Sequence, residues 1–224
     1  MDQRFSNIRD WIFDLDNCLY PASAGLFDLI DERMAAYIQR LLDCDEQEAK
    51  RVQKAHFHEY GTTLAGLMKE HGVDPHHFLE DVHDIQLERL QCDERLGRFL
   101  HRLPGRRFVF TNGDAPYARR VLEKIGVGEH FDDLHDIHAS SYRPKPDPHG
   151  YALLCERFGI DPKHALLADD MVQNLAPAKA LGMTTIWVDT GSESGTHNYT
   201  SEVVDERVTA VGDWLESILE DGDG

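Results

Sequence analysis

Four short apolar runs recur along the chain without the polar alternation of a half-exposed strand. They span residues 11–13, 107–110, 165–168 and 184–188. Runs of this kind are typical of parallel strands that are covered on both faces. Between them apolar residues recur every three or four positions, as at Tyr117, Val121 and Ile125, which predicts amphipathic helices. The alternation of strand and helix predicts a doubly wound, Rossmann-like α/β domain with a parallel sheet.

Three of the predicted helices end in a glycine that lies between two apolar residues. These glycines are Gly126, Gly159 and Gly182. A glycine in this position favours a left-handed helix end, after which the chain returns to the sheet.

One long segment interrupts the alternation, because no strand pattern is found between about residue 20 and about residue 93. Its first helix is predicted from residues spaced three or four apart: Leu26, Ile30, Met34, Tyr37 and Leu41. A second helix is predicted over residues 78–85. We therefore expect an α/β core domain formed by residues 1–19 and 94–224, and an inserted α-helical domain formed by residues 20–93.

Charge and composition narrow the class of protein. The 224 residues include 23 Lys and Arg against 41 Asp and Glu, which gives a formal net charge of −18. So acidic a surface disfavours binding to nucleic acid or to anionic membranes, although it is compatible with a small anionic substrate in a locally positive pocket. No apolar run approaches the roughly 18 residues of a spanning helix, and the first residues lack a secretory pattern.

The four cysteines are widely spread and form no Cys-x-x-Cys pair. This distribution favours reduced thiols and a cytoplasmic location over a disulfide framework or a zinc site. The histidine pairs His56/His58 and His76/His77 lack further ligands at metal-binding spacing, and we expect them to be surface or packing residues.

Candidate chemistry begins at the end of the first predicted strand, with Asp14 and Asp16. Ligands of open α/β sheets bind beyond the carboxyl ends of the strands, and two carboxylates this close favour a bound cation or a shared proton. Such a pair suits a Mg²⁺ site or a nucleophile beside a proton carrier. Taken alone, the pair is equally well explained as turn chemistry.

Similar polar residues follow the other predicted strands. Thr111, Asn112 and Asp114 follow the second strand, where exposed amides ahead of a helix suit an anion and where Thr111 or Asp114 is also a candidate helix cap. Lys145 stands between two prolines of a stiff loop.

Another acidic pair, Asp169 and Asp170, follows the third strand, with Asn174 four residues after the second acid. Two carboxylates at a strand end suit Mg²⁺, although helix capping is the simpler alternative. Because all four groups fall at one edge of the predicted sheet, together they indicate a phosphate and metal site.

These motifs, in this order and spacing, resemble the haloacid dehalogenase superfamily of phosphohydrolases. The resemblance extends from Trp11 to about Val188, and the helical insert resembles the four-helix cap of that superfamily. The four motifs are Asp14-Leu15-Asp16, Thr111-Asn112-Gly113, Lys145-Pro146 and Asp169-Asp170 with Asn174.

The resemblance implies a role for each motif. Asp14 is implied as the nucleophile and Asp16 as the general acid and base. Thr111, the Asn112 amide and Lys145 are implied to hold the phosphoryl oxygens. Mg²⁺ is the implied cofactor, bound by Asp14, the backbone carbonyl of Asp16 and Asp170, with Asp169 acting directly or through water.

Two further segments resemble the pyrimidine 5′-nucleotidase subgroup of that superfamily: residues 14–20 and residues 58–67. The fourth motif departs from the subgroup, since Met171 stands where its members have Ser. The cap segment supplies Tyr60, Thr62 and Thr63 as candidates for base selection, with packing and helix capping as the alternative for all three.

The sequence therefore predicts a Mg²⁺-dependent phosphomonoesterase for a small phosphorylated substrate, with a pyrimidine nucleoside 5′-monophosphate as the first candidate. The alternatives are a phosphatase for another metabolite such as phosphoglycolate, a phosphomutase, and a non-catalytic binding module. A haloacid dehalogenase is disfavoured, because that enzyme lacks the second aspartate that is present here as Asp16. We expect a monomer or a homodimer.

Overall fold

The computed structural model describes residues 1–192, 194–196 and 201–220. In these residues six strands form one parallel sheet in the order β3-β2-β1-β4-β5-β6. The strands are β1 (Asp10–Phe13), β2 (Arg106–Phe110), β3 (Asp133–His135), β4 (Ala165–Asp169), β5 (Thr184–Val188) and β6 (Glu206–Val208). The strand order reverses between β1 and β4, as in a doubly wound fold.

The described residues contain four α-helices between β1 and β2 that have no counterpart in the strand-helix alternation. They are α1 (Leu26–Leu42), α2 (Glu46–Tyr60), α3 (Thr63–His71) and α4 (Pro75–Val82). The helices of the α/β part are α5 (Glu94–Arg102), α6 (Ala115–Lys124), α7 (Pro148–Phe158), α8 (Val172–Leu181) and α9 (Val211–Glu220). The predicted fold class, a parallel α/β core with an inserted helical cap, is confirmed.

Apolar cores cover both faces of the sheet, which explains the unalternated strand runs. Along β1, Trp11 and Phe13 belong to one buried cluster, which includes Trp214 of α9, whereas Ile12 belongs to the cluster on the opposite face with Tyr151 of α7. Each residue of β1 is therefore buried whichever face it points to, and every position along this strand favours an apolar side chain.

Two short strands were not predicted from the sequence. The strands β3 and β6 each have only three residues and lie at the two edges of the sheet. Their sequences, Asp-Leu-His and Glu-Arg-Val, contain too few apolar residues to form a recognisable run. Pairing with β2 and β5, and not the local sequence, defines them as strands.

The cap helices share a third buried cluster, which includes Ile38 of α1, Leu67 of α3 and Phe78 of α4. The helix predicted over residues 78–85 is confirmed only to Val82, because His83 closes the helix and the chain then turns toward the core.

The three glycines predicted at helix ends, Gly126, Gly159 and Gly182, all adopt the left-handed conformation. Within the described residues no helix has both the length and the apolar character needed to cross a bilayer.

Candidate active site

The carboxyl ends of three adjacent strands bring the predicted site residues together. Asp14 directly follows β1, Thr111 follows β2, and Asp169 ends β4. The register pairs Phe13 with Ala168, and the Asp14 amide donates to the Ala168 carbonyl at 2.8 Å. The acidic residues therefore lie side by side at the point where the strand order reverses, which is the usual ligand-binding position of such sheets.

Lys145 is the cation at the centre of this cluster. Its ammonium donates to Asp14 Oδ1 at 2.7 Å, to Asp169 Oδ2 at 2.7 Å and to the Phe110 carbonyl at 2.8 Å. Burial by itself lowers the pKa of Lys145, but the carboxylates of Asp14 and Asp169 outweigh burial and raise it. All three donor hydrogens of the ammonium are thus engaged, and the side chain is fixed as a positive charge.

Asn112 holds the loop that carries Lys145. The Lys145 amide donates to Asn112 Oδ1 at 2.8 Å, and Asn112 Nδ2 donates to the Lys145 carbonyl at 3.2 Å. The Asn112 side chain therefore binds the backbone of Lys145 through both of its polar atoms. The backbone N–H of Asn112 has no partner in the described part of the chain. This N–H is the atom of Asn112 that is available to an anion.

Thr111 is buried and lines the cavity above the sheet edge. Its Oγ1 accepts a hydrogen bond from the Gly113 amide at 2.9 Å, which leaves the hydroxyl hydrogen available for a ligand. The helix cap that was the alternative role of Thr111 is instead supplied by Asp114, whose carboxylate accepts from the Tyr117 amide at the start of α6.

Three buried carboxylates face one another, and the single positive charge of Lys145 does not balance their three negative charges. Ligand oxygens of Asp14, Asp169 and Asp170 all lie within 4.8 Å of one another. Burial raises the pKa of Asp14 to about 7 even though Lys145 opposes the shift, and burial with the charges of Asp14 and Asp169 raises the pKa of Asp170 to about 8. A divalent cation is the usual way to stabilise so many carboxylates in one place, so this donor set fits Mg²⁺.

The two members of the second acidic pair have different surroundings. Asp169 is fully buried, and its Oδ1 accepts from the Met171 amide and from Asn174 Nδ2, both at 2.9 Å. The Asp170 carboxylate has no hydrogen-bond partner in the residues that the structure describes. Neither acid caps α8, since Met171 occupies that position without a side-chain cap. Asp169 therefore orients its neighbours, whereas Asp170 is free to bind a ligand.

Asp16 is held by two tyrosines. Its Oδ1 accepts from the Tyr20 hydroxyl at 2.6 Å and from the Tyr117 hydroxyl at 2.8 Å. Burial, reinforced by the Asp16 carboxylate, raises the pKa of both phenols, so both remain protonated donors. Sequence reasoning did not assign this function to either tyrosine, because Tyr117 sits on the apolar stripe of α6 and is interpreted there as packing.

A cavity of about 390 Å³ separates the sheet edge from the cap. Its sheet side is lined by six of the charged and polar residues described above: Asp14, Asp16, Thr111, Asn112, Lys145 and Asp170. Its cap side is largely apolar, lined by side chains such as Ile30, Met34, Leu79 and Val82. Phe27 and Phe57 also line it and are 46% and 40% exposed. A phosphate group at the sheet edge would thus have the rest of its molecule under the cap.

The three cap residues that were candidates for base selection differ in whether they line the cavity. Thr62 and Thr63 line the cavity, whereas Tyr60 is not among its lining residues and donates to Glu70 at 2.7 Å. Thr62 Oγ1 accepts from the Ala65 amide at 3.1 Å and caps α3, and Thr63 Oγ1 donates to the Gln53 carbonyl at 3.4 Å.

A cavity residue that the sequence did not indicate is His83, which follows α4. Its Nδ1 lies 2.8 Å from Asp114 Oδ1, and its ring stacks on Tyr117 with 4.3 Å between ring centroids. In sequence His83 is one of 13 histidines with no motif around it, so only the folded chain reveals its partners.

The chain is similar in sequence to known proteins. A model of the haloacid dehalogenase-like hydrolases matches residues 11–182. Phosphate metabolism protein 8 of Saccharomyces cerevisiae is 26% identical over 190 residues, covering 77% of this chain but only 59% of the yeast protein. A phosphoglycolate phosphatase of Rhodospirillum rubrum is 26% identical over 229 residues, covering 91% of this chain and 89% of that protein.

A solved structure gives the same fold. The HAD phosphatase from Thermococcus onnurineus matches with a TM-score of 0.63 at 18% sequence identity, covering 95% of this chain and 98% of that chain. At this level of identity the likeness establishes the architecture of the chain and nothing more specific.

Proposed function

Since the chain belongs to the haloacid dehalogenase-like hydrolase family, we propose that it is a Mg²⁺-dependent phosphomonoesterase that forms an aspartyl-phosphate on Asp14. The observation that carries this proposal is the buried cluster of Asp14, Asp169 and Asp170 around the ammonium of Lys145, with Asp16 beside it. A phosphate ester bound together with a metal ion would make use of every group in this cluster.

In the first step a carboxylate oxygen of Asp14 attacks phosphorus, and the bond between phosphorus and the leaving oxygen breaks. Asp16 donates a proton to that leaving oxygen, so the product departs as an alcohol. The hydroxyls of Tyr20 and Tyr117 both bind Oδ1 of Asp16, which leaves Oδ2 as the oxygen that carries the proton.

In the second step Asp16 removes a proton from water, and the water oxygen attacks the phosphorus of the aspartyl-phosphate. The bond between phosphorus and Asp14 breaks, which restores the Asp14 carboxylate and releases phosphate. The two steps therefore need Asp16 alternately as an acid and as a base.

The phosphoryl oxygens are held by groups that the structure leaves available. These are the Thr111 hydroxyl hydrogen and the Asn112 backbone N–H, with Lys145 supplying positive charge beside Asp14. Donors fixed in advance stabilise the charge that develops on these oxygens in the transition state.

Mg²⁺ would be held by Asp14, Asp170 and the backbone carbonyl of Asp16, with Asp169 acting directly or through water. When bound, it offsets the repulsion between the carboxylates and a dianionic phosphate. The free carboxylate of Asp170 favours it as a direct ligand, whereas the oxygens of Asp169 already accept three hydrogen bonds.

Asp16 favours a phosphatase over a dehalogenase, because the general acid has no task when the leaving group is a halide. A phosphomutase would keep both aspartates, and a binding module would not need Asp14 and Lys145 in contact. Release of inorganic phosphate from a monoester separates the hydrolase from both alternatives.

For the substrate, a pyrimidine nucleoside 5′-monophosphate is our first candidate, on the resemblance of residues 14–20 and 58–67 to the pyrimidine 5′-nucleotidases. The apolar cap side and the exposed rings of Phe27 and Phe57 suit a planar base. Phosphoglycolate is the second candidate, because the relative from Rhodospirillum rubrum carries that name. We further expect a cytoplasmic monomer or homodimer.

The decisive experiment is a phosphate-release assay with p-nitrophenyl phosphate in Mg²⁺ and in excess EDTA, followed by UMP, CMP, AMP, GMP and phosphoglycolate. Mg²⁺-dependent hydrolysis of p-nitrophenyl phosphate supports the proposed phosphatase. If none of the substrates is hydrolysed, the proposal is contradicted. Equal kcat/KM for pyrimidine and purine nucleotides would reject the nucleotidase while leaving the phosphatase in place.

A further inference from the structure

On the cap side of the cavity, few side-chain nitrogens lack a hydrogen-bond partner within the protein. The Gln53 amide nitrogen donates to Asp31, whereas the Gln53 amide oxygen has no partner within the described residues. The Thr62 hydroxyl oxygen accepts from the Ala65 amide, and the Thr63 hydroxyl donates to the Gln53 carbonyl. In the described residues two side-chain nitrogens of the cap-side lining remain without hydrogen-bond partners: Lys54 Nζ on an exposed side chain and His83 Nε2 on a buried one.

His83 belongs to the cap insert in sequence but is fixed to the core in space. Its ring bonds to Asp114 at the start of α6, and Arg120 of the same helix donates to the His83 carbonyl at 3.1 Å. The Arg120 guanidinium also donates to the Ile85 carbonyl at 2.7 Å. His83 is therefore held from the core at both its ring and its backbone.

The hydrogen bond to Asp114 decides which ring nitrogen of neutral His83 carries the hydrogen. Although burial opposes the shift, the hydrogen bond from His83 keeps the pKa of Asp114 below its usual value, so Asp114 is a carboxylate that only accepts. Nδ1 must then carry the hydrogen, and in the neutral ring Nε2 presents a lone pair.

The ring also lies next to the phosphate-binding loop. A Cβ placed on Gly113 would lie 3.7 Å from His83 Cε1, and the ring stacks on Tyr117, whose hydroxyl donates to Asp16. His83 therefore lines the cavity between the phosphate end and the cap, and Nε2 is the ring nitrogen that Asp114 does not bind.

We infer that His83 is a specificity residue whose Nε2 accepts a hydrogen bond from a hydroxyl of the leaving group. The enzyme would then prefer phosphate esters of polyhydroxy compounds, such as a nucleoside or a polyol, over esters of plain alcohols and phenols. This inference rests on the proposed phosphatase and names the class of its leaving group. A buried acceptor left without its hydroxyl is costly, which is why one group can discriminate.

The test uses two pairs of esters that differ only in hydroxyls. They are UMP with 2′,3′-dideoxyuridine 5′-monophosphate, and glycerol 1-phosphate with n-propyl phosphate, and p-nitrophenyl phosphate serves as the reference. In at least one pair we expect the wild type to favour the hydroxyl-bearing ester about tenfold in kcat/KM, the effect of one hydrogen bond of about 1.4 kcal/mol.

Two variants separate the nitrogens of the ring. His83→Asn keeps a donor near Nδ1 for Asp114 but has no atom at Nε2, and it should reduce the preference to about twofold or less. His83→Gln places a polar atom near Nε2 and should retain more of the preference. His101→Asn is the matched control, since His101 is an exposed histidine outside the cavity lining.

The outcomes are distinguishable. If His83→Asn lowers kcat/KM for all five esters by the same factor, or if the wild type shows no preference in either pair, His83 has no role in specificity and the inference is wrong. Failure of the wild type to hydrolyse p-nitrophenyl phosphate or any other ester would instead reject the phosphatase itself. Thermal unfolding of each variant shows whether it folds. If His83→Asn does not fold, the preference of His83→Gln is compared with that of the wild type instead.

Discussion

The two ends of the cavity differ in how their polar groups are used. At the sheet end, Lys145 satisfies two carboxylates and a carbonyl, and Asn112 holds its loop from both sides. At the cap end the lining is mostly apolar, and hydroxyls such as that of Thr62 serve the cap helices. The sheet end is thus built to hold one fixed arrangement of charge, and the cap end to enclose a variable group.

This difference separates two kinds of mutational effect. The phosphate contacts are common to every phosphomonoester, so changes at the sheet end should reduce activity on all substrates by similar factors. Changes at the cap end should alter the ratio between substrates, because discrimination depends on groups that differ between them. The predictions below test this separation.

The largest effect is expected from Asp14→Asn. An amide cannot form the covalent intermediate, so kcat/KM should fall by more than about a thousandfold on every substrate. The measurement is phosphate release from p-nitrophenyl phosphate and UMP, with thermal unfolding as the control for folding. Retention of more than about a tenth of wild-type activity would show that Asp14 is not the nucleophile.

Metal removal should come next in magnitude. Excess EDTA should lower activity at least about a hundredfold on all substrates, because the buried carboxylates repel a dianionic phosphate without a cation. Adding back Mg²⁺ should restore activity, whereas Ca²⁺ should restore little, since it prefers more ligands at longer distances. Full activity after exhaustive dialysis against EDTA would contradict both the metal site and the phosphatase.

A smaller effect is expected from Tyr117→Phe, which keeps the stacked ring and removes one of the two hydroxyls on Asp16. We expect kcat to fall about tenfold with little change in KM, since one hydrogen bond of about 1 to 1.5 kcal/mol is lost from the proton carrier. Tyr20→Phe is the matched variant, and the double variant should lose more than either. Unchanged kcat in all three would mean that the tyrosines do not position Asp16.

The smallest effects should come from the cap. We expect the wild type to prefer pyrimidine over purine monophosphates, and Thr62→Ala and Thr63→Ala to change the UMP to AMP ratio of kcat/KM a few-fold. Thr62→Ala should also cost about 1 kcal/mol of stability as the loss of a helix cap. Tyr60→Phe is the control that should leave the ratio unchanged, because Tyr60 does not line the cavity. Equal losses on UMP, AMP and p-nitrophenyl phosphate would mean that the two threonines shape the cap without selecting the base.

The sheet end of the site could be anticipated from the sequence because each of its residues follows a strand. Residues at the carboxyl ends of neighbouring parallel strands must meet at one edge, so Asp14, Thr111 and Asp169 were predictable as neighbours from strand positions alone. The separate tasks of Asp169 and Asp170 were not predictable, since they depend on which carboxylate the Lys145 ammonium and the Asn174 amide reach.

The cap end could not be anticipated in the same way. Helical periodicity indicated that residues 20–93 form helices, but it does not fix which face of each helix lies over the sheet. Tyr60 illustrates this limit, because in sequence it is as plausible a cavity residue as Thr62, and in the structure it bonds to Glu70 instead.

The sequence by itself thus determined the α/β class, the helical insert and the acidic sheet edge, because strand burial and strand-end position are local properties that leave a pattern in the chain. The tertiary structure alone decided which side chains meet across long separations, such as His83 with Asp114, Tyr117 with Asp16, and Lys145 with Asp14. These contacts depend on how separately formed elements pack against one another, and packing between distant segments leaves no periodic trace in the sequence.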